Sequence, residues 1–471
     1  MNPDNDLPEG RAQKLYWRAR DFVVSADKAG VARRSAAIAL LIRLGSAALA
    51  YAAQVVLARL MGQHEYGVFA YTWIWFLVFS AFATLGFGDS PVRYIAQLRE
   101  RGEAAHLRGF IRFSALVITA ASVAFGALVV ALLPLADGLI DHAYIMPMAL
   151  MALSIPFACL QALLEGVGRS YSWTVPALLP VYILRHGLLL VFMVAAVAAG
   201  FEANAVNGFV CLALTMAVSI AWQATAILLR LNRVVEPGPR AYRPREWVRG
   251  SAPFAVLYSA QHLASFADVL VLSFFVGPAE VAVYFAATRI IQVVNLVPYA
   301  ATVGTAHLFS ASHTRGDHDE LQRLCRHVSA TAFVVSAIAV ATIIAGGHFL
   351  LKMFGLGFDT GYVPLVILAA GVFARVAAGP AEDMLNMTGN GDVSASTYLV
   401  IVGVNVALAI PLIAAFGLNG AAVASAVAMA LRALWLARSV HRRLGVSTSI
   451  LSAIPLRDML AARSALRTPA E

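Results

Sequence analysis

Long apolar runs, broken by short polar segments, fill the chain from residue 35 to residue 438. They lie at about 35–61, 67–87, 113–135, 145–164, 173–199, 204–229, 252–276, 281–308, 328–351, 363–385, 394–416 and 420–438. A helix rises about 1.5 Å per residue, so a run near 20 residues crosses a hydrocarbon core of about 30 Å. The pattern predicts an all-α polytopic membrane protein with about 12 transmembrane helices.

The first break is Gly62-Gln63-His64-Glu65-Tyr66-Gly67-Val68-Phe69-Ala70-Tyr71, a polar hairpin between two apolar runs. It returns, 215 residues on, as Gly277-Pro278-Ala279-Glu280-Val281-Ala282-Val283-Tyr284-Phe285-Ala286. In both copies a Gly ends an apolar run, a Glu follows three residues later, and an aromatic stands four beyond the Glu. Phe201 and Asn204 are echoed at the same offset by Phe416 and Asn419. Two matches in one register predict a pseudo-twofold repeat of two six-helix bundles, a common transporter design. The expected divisions are a polar arm at 1–34, bundles at 35–229 and 252–438, a basic linker at 230–251, and a tail at 439–471.

Composition sharpens this picture. Sixty per cent of the residues are apolar and 13% charged, against about 25% charged in ordinary globular proteins. The net charge of +9 is explained without nucleic acid, because the arginines gather in alternate connections. These are Arg93, Arg99, Arg101 and Arg108, then Arg230, Arg233, Arg240, Arg243, Arg245 and Arg249, then Arg315, Arg323 and Arg326. The positive-inside rule puts these loops, the N-terminal arm and the C-terminal tail in the cytoplasm. The arm carries an amphipathic segment at 15–24, and the tail adds Arg442, Arg443, Arg457, Arg463 and Arg467. Pro176 and Pro180 should bend the first half of the fifth span. Cys159, Cys211 and Cys325 lie in or beside apolar runs without metal-ligand spacing and read as small buried residues.

A charge at membrane depth costs at least about 2.5 kcal/mol, so each embedded one asks for a reason. Arg185 and Arg375 fall near mid-membrane, Arg43 in the inner part of the first span, and Arg289 in the outer part of the eighth. Asp268 is the one carboxylate that reads as embedded, so cations are expected in excess. A water-filled cavity in which arginines meet an anionic ligand resolves that excess, since the planar guanidinium fork suits phosphate. Polar stripes support such a path. Tyr284, Thr288, Gln292, Asn295 and Tyr299 share one helical face of the eighth span, Tyr258, Gln261, Ser265 and Asp268 one face of the seventh, and Arg43, Ser46 and Gln54 one side of the first. The structural alternatives are arginines that snorkel or pair, and polar groups that bond neighbouring helices. His186 and His262 read as interior polar residues, and Asp268 either as a structural partner or as a site for a coupling H⁺ or Na⁺. No phosphate-binding loop, metal motif or nucleophile elbow occurs, so no cofactor, metal or catalytic residue is expected.

Several segments resemble a known family: Leu60-Met61-Gly62-x-x-Glu65-Tyr66-Gly67, then Leu85-Gly86-Phe87-Gly88 and Val92-Arg93-Tyr94-Ile95. In the second half the corresponding features are Asp268, Gly277-x-x-Glu280, Tyr284, Ala287-x-Arg289 and Phe416-Gly417-Leu418-Asn419-Gly420-Ala421-Ala422. Together they are similar to the polysaccharide biosynthesis or O-antigen flippases of the multidrug/oligosaccharidyl-lipid/polysaccharide (MOP) exporter superfamily. The resemblance implies a V of two bundles with alternating access across a bacterial inner membrane. It also implies an undecaprenyl-pyrophosphate-linked oligosaccharide, used in surface polysaccharide, lipopolysaccharide or exopolysaccharide synthesis, as cargo. Arg43, Arg185, Arg289 and Arg375 would then meet the pyrophosphate, with a polysaccharide polymerase and glycosyltransferases as partners beside the membrane lipids. The competing reading is a cation-coupled multidrug exporter of the same superfamily, for which embedded carboxylates would be expected. A membrane-bound polymerase or acyltransferase would call for a large outer loop or a His/Asp cluster, and neither is present.

Overall fold

A computed structural model describes residues 28–136, 141–295 and 305–450. The amphipathic segment at 15–24, Tyr299, and the tail arginines Arg457, Arg463 and Arg467 lie outside the described residues.

The described chain is helical throughout, with no strand among the described residues. In order, its helices are α1 (Lys28–Ala83), α2 (Ser90–Glu100), α3 (Ala104–Leu132), α4 (Ile145–Ser170), α5 (Thr174–Leu179), α6 (Arg185–Ala198), α7 (Ala205–Val234) and α8 (Pro244–Leu272). The second half follows with α9 (Pro278–Val294), α10 (Ala306–Thr314), α11 (His318–Lys352), α12 (Tyr362–Ala377), α13 (Ala381–Met387), α14 (Gly391–Phe416) and α15 (Leu418–Leu444). Ten of the described helical stretches are long and apolar enough to cross a membrane. The expected all-α polytopic fold is therefore what the chain adopts.

One of those ten, Ala37–Ala83, is a hairpin. Gly62 interrupts the helical backbone with φ 74° and ψ 174°, a left-handed conformation that glycine adopts without a Cβ clash. Twelve residues of straight helix would separate two side chains by about 18 Å. Instead the Tyr66 hydroxyl donates to Gln54 Oε1 across the break at 2.9 Å, so the chain reverses there. The two arms account for the first two expected spans. The eighth expected span, 281–308, is described only in part: α9 ends at Val294 and α10 begins at Ala306.

Helix ends follow local chemistry. Asn204 accepts from Asn207 N at 2.9 Å to cap α7, and Asp317 caps α11 through Glu320 N at 2.8 Å. The two copies of the hairpin motif use their glutamates differently. Glu280 reaches back to its own helix start, accepting from Gly277 N at 3.2 Å, whereas Glu65 accepts from Ala205 N at 2.9 Å at the head of α7.

The fifth span is irregular at Pro180. After α5 the chain makes a single π-turn over Pro180–Leu184 and continues as α6. Pro180 lacks an N–H, and the π-turn leaves carbonyls short of intrahelical donors. Two fully buried side chains on α7 bond this stretch: Gln223 donates to Ala177 O at 3.2 Å, and Ser219 adds a second donor at 3.4 Å to Pro180 O, which already accepts from Arg185 N within the π-turn. This is how irregular backbone survives at membrane depth.

Packing divides the helices into two groups. The α1 arms, α3, α4, α6 and α7 pack on one another, as do α8, α9, α11, α12, α14 and α15. The groups meet where the two motif copies face each other. Gly67 abuts the backbone of Pro278 so closely that a Cβ at Gly67 would overlap the Pro278 carbonyl oxygen. Tyr66 packs against Phe285, Phe354 and Phe358 with ring centroids 6.1, 6.4 and 6.1 Å away. Tyr51 donates to Leu350 O at 3.2 Å and Arg59 to Met353 O at 2.5 Å.

At the opposite end α8 joins the first group. Ser251 donates to Ser90 Oγ at 2.9 Å, and Tyr94 donates to Glu246 O at 3.0 Å. The basic linker is also tied down there: Arg108 donates to Pro239 O and Glu236 O, and Arg243 pairs with Glu103 at 3.0 Å.

Candidate functional site

Polar side chains at membrane depth collect in two places, one where α8 meets the first helix group and one within the second group. The first is a cavity of about 430 Å³ between α1, α4, the π-turn, α6 and α8. It is lined by Arg43, Asp89, Glu165, Arg169, Arg185 and Tyr258, with Tyr182, Gln261 and His262 among the other wall residues. Arg185 follows directly on the π-turn and is held from α4, donating to Gln161 Oε1 at 2.5 Å. Gln161 is fully buried and donates in turn to Ser219 Oγ at 3.0 Å, which fixes its amide. Arg185 Nε is buried and has no partner among the described residues. Arg43 lies 5.1 Å from the Tyr182 ring centroid. Arg169 bonds Asp89 at 3.1 Å and stands 4.0 Å from Glu165.

The second place is a pair of joined cavities of about 220 and 280 Å³, sharing Asn295, Arg375 and Arg432. Thr288, Gln292 and Asn295 enter from α9, Ser265 and Asp268 from α8. Arg375 donates to Asn295 Oδ1 at 2.5 Å. Arg432 pairs with Glu382 at 2.8 Å and lies 3.8 Å from the Tyr398 ring centroid, while Tyr398 donates to the same carboxylate at 2.8 Å. Asp268 accepts from Tyr284 at 2.7 Å, Ser425 at 2.8 Å and its neighbour Val269 N at 2.8 Å.

The expected site residues are thus gathered into two groups. Arg43, Arg185, Gln261 and His262 share the first cavity; Asp268, Thr288, Gln292, Asn295 and Arg375 share the second. The polar stripe of α8 serves both, its first half facing one cavity and its second half the other. Arg289 lines neither. Its guanidinium stands 4.2 Å from the Phe285 ring and 5.5 Å from Phe266 and donates to Gln292 at 2.9 Å, with Nε and Nη2 lacking a partner among the described residues. His186 also stays outside both cavities, beside Trp73 at 6.4 Å. In the stripe of α9, Tyr284 turns inward to Asp268, and in the first span Gln54 bonds Tyr66.

The expected excess of cations does not hold in the walls themselves. Glu165 and Asp89 stand with the arginines of the first cavity, and Glu382 and Asp383 with those of the second. The fourth apolar run ends near residue 164, but α4 runs on to Ser170 and carries Glu165 and Arg169 within the helix. Their i,i+4 spacing was the available signal. Arg432 was passed over although it lies inside the last apolar run; its side chain is only 13% exposed. No cluster of His, Cys, Asp and Glu able to hold a metal occurs among the described residues.

Sequence comparison bears on what these cavities belong to. The family described as "Polysaccharide biosynthesis protein" matches residues 32–307, more than half of the chain. The chain belongs to this family. A second match, to the family described as MatE, covers residues 253–414 and so overlaps the second helix group. Among curated proteins none matches.

Solved structures agree on the fold. An inward-facing multidrug resistance MATE transporter of the MOP superfamily superposes with a TM-score of 0.72 at 16% identity, over 86% of this chain and 98% of its own. An outward-facing multidrug resistance MATE transporter gives 0.62 at 16% identity, over 86% and 95%. A MOP transporter from Pyrococcus furiosus, described as having a binding pocket of reversed polarity, also gives 0.62 at 16%, over 87% and 95%. The protein is a multi-pass membrane protein of the polysaccharide biosynthesis family, with the fold of MOP-superfamily transporters.

Proposed function

We propose that the protein moves a lipid-linked oligosaccharide across a bacterial inner membrane by alternating access, for surface polysaccharide synthesis. In this reading the diphosphate of the carrier meets arginines between the helix groups, the sugars occupy the hydrated cavities, and the lipid tail stays outside. The observation that carries it is Arg185: a cation at membrane depth, set by a π-turn, aimed by Gln161, and left with a buried Nε that has no partner among the described residues. An arginine in that state suits an anion that brings its own acceptors. Membership of the polysaccharide biosynthesis family supports the same cargo. Carboxylates beside the arginines give sugar hydroxyls acceptors as well.

The end sealed by Tyr66 and Gly67 is read as periplasmic, since the basic connections lie at the other end. The conformation is then the one that loads from the cytoplasm, and both chain termini are cytoplasmic. A cation-coupled multidrug exporter is the second reading, favoured by Glu165, Glu382 and the buried Asp268 and by the MatE match.

The test is a deletion strain carrying wild type, Arg185→Ala or Arg375→Ala, with membrane expression checked. Surface polymer and lipid-linked intermediates are measured. Loss of polymer with intermediates held on the cytoplasmic side, rescued by wild type alone, is the expected result. Full rescue by both variants, or normal polymer in a deletion strain without a second flippase, contradicts the proposal.

A further inference from the structure

Away from the cavities described above, the outer face of the second helix group carries a recess of about 720 Å³ between α14 and α15. Its floor is Ile401, Val404, Leu431 and Leu434, with Trp435 on its wall. At one end stand Arg438 and Arg442, one helical turn apart and so on one face of α15. Both are exposed, and neither has an ion-pair or hydrogen-bond partner among the described residues. Their neighbour Arg443 points elsewhere and is occupied, bonding Asn390 at 2.8 Å and Asp392 at 3.3 Å. An apolar trough that ends in two unpaired cations and a half-exposed Trp has the profile of a lipid: chain, interface, headgroup. Ile401 closes the trough from the polar cavity behind it, where it is also a wall residue.

We propose that this recess holds an anionic phospholipid of the adjoining leaflet, its phosphate between Arg438 and Arg442 and one acyl chain along Val404, Leu431 and Leu434. The charge pair selects against zwitterionic lipids, while the recess retains a chain that a flat helix face would not. A basic residue near an anionic headgroup contributes roughly fivefold in affinity, so the pair should give a preference of about thirtyfold.

The test uses full-length protein in phosphatidylcholine nanodiscs doped with dibrominated phosphatidylglycerol or dibrominated phosphatidylcholine. Occupancy is read as quenching of Trp435, isolated as the difference from Trp435→Phe. Brominated phosphatidylglycerol should reach half-quenching at a mole fraction about thirtyfold lower than brominated phosphatidylcholine. Arg438→Gln/Arg442→Gln should abolish that preference, with unchanged emission from the other tryptophans reporting an intact fold. Val404→Trp, which fills the trough but keeps both arginines, should also lose the site. Equal quenching by the two lipids in wild type, or an undiminished preference in the double variant, would overturn the proposal. So would displacement of phosphatidylglycerol by an equal mole fraction of polyprenyl phosphate, which would give the recess to the carrier lipid.

Discussion

Gly67 and Pro278, one from each copy of the repeated motif, touch backbone to backbone where the two helix groups close on each other. The repeat therefore forms the seal, each copy serving as the other's packing surface. Replacing Gly67 with Ala or Val inserts atoms where the Pro278 carbonyl stands, and backbone rather than a flexible side chain must give way. Overpacking of this kind costs about 1–3 kcal/mol. Gly67→Val is expected to hold this end ajar and to raise maleimide labelling of a cysteine placed at Tyr66. Labelling equal to that in the Gly67 parent would mean the contact does not gate access.

Arg185 depends on Gln161 for its aim. Gln161→Leu removes the acceptor at membrane depth and leaves the guanidinium with one bond fewer, at a cost of roughly 1–2 kcal/mol. A lowered thermal midpoint in detergent is expected, together with a loss of export larger than the stability change explains. Arg185→Lys should fail to restore export, because a point charge does not reproduce the planar fork. Export at wild-type level in either variant would show that orientation at this position is unimportant.

The π-turn is a second control on the same side chain. Pro180→Ala returns an N–H to the ladder and removes the reason for the irregular turn. It should stabilise the helix while turning Arg185 away from the cavity. The expected signature is a thermal midpoint at or above wild type combined with reduced export. Unchanged export would free the arginine's position from the π-turn.

Asp268 is enclosed by Tyr284 and Ser425, which tie α8 to α9 and α15. Tyr284→Phe deletes one donor to a buried carboxylate and should cost about 1–2 kcal/mol, measured as a fall in the thermal midpoint. If export is also lost while Ser425→Ala, with a comparable stability change, keeps it, the Tyr284 bond contributes to transport. Equal effects of the two variants on export would leave the network a structural tie.

Most of the spans were legible because each run is long, apolar and flanked by turn residues. The hairpin at Gly62 was legible because a Gly followed by a polar Gln-His-Glu stretch interrupts two such runs. Pro176 and Pro180 signal an irregularity in the fifth span, but not its form, a π-turn from Pro180 to Leu184. The side chains that bond it, Ser219 and Gln223, lie on another helix more than thirty residues away, beyond the reach of periodicity. Arg43 and Arg185 were singled out by depth alone, and depth also named Arg289, which instead sits against Phe266 and Phe285. Which helical face a residue presents depends on tertiary neighbours, as Tyr284 illustrates. Glu165 lies beyond the apolar run at 145–164, whose boundary marks where lipid contact ends, whereas helix and cavity continue past it. Glu382 falls inside the expected span 363–385, but the helix stops at Ala377 and a separate short helix, α13, carries this carboxylate to the cavity.

The most direct test of the account is reconstitution of purified protein into proteoliposomes containing a fluorescent diphosphate-linked oligosaccharide lipid in both leaflets. An external enzyme that modifies the sugar reports which molecules reach the outer surface. The account predicts that wild type makes the inner-leaflet pool accessible, and that Arg185→Ala and Arg375→Ala slow this at least tenfold while remaining folded. Inner-leaflet lipid that stays protected with wild-type protein, or variants that flip it at the wild-type rate, would contradict the central claim.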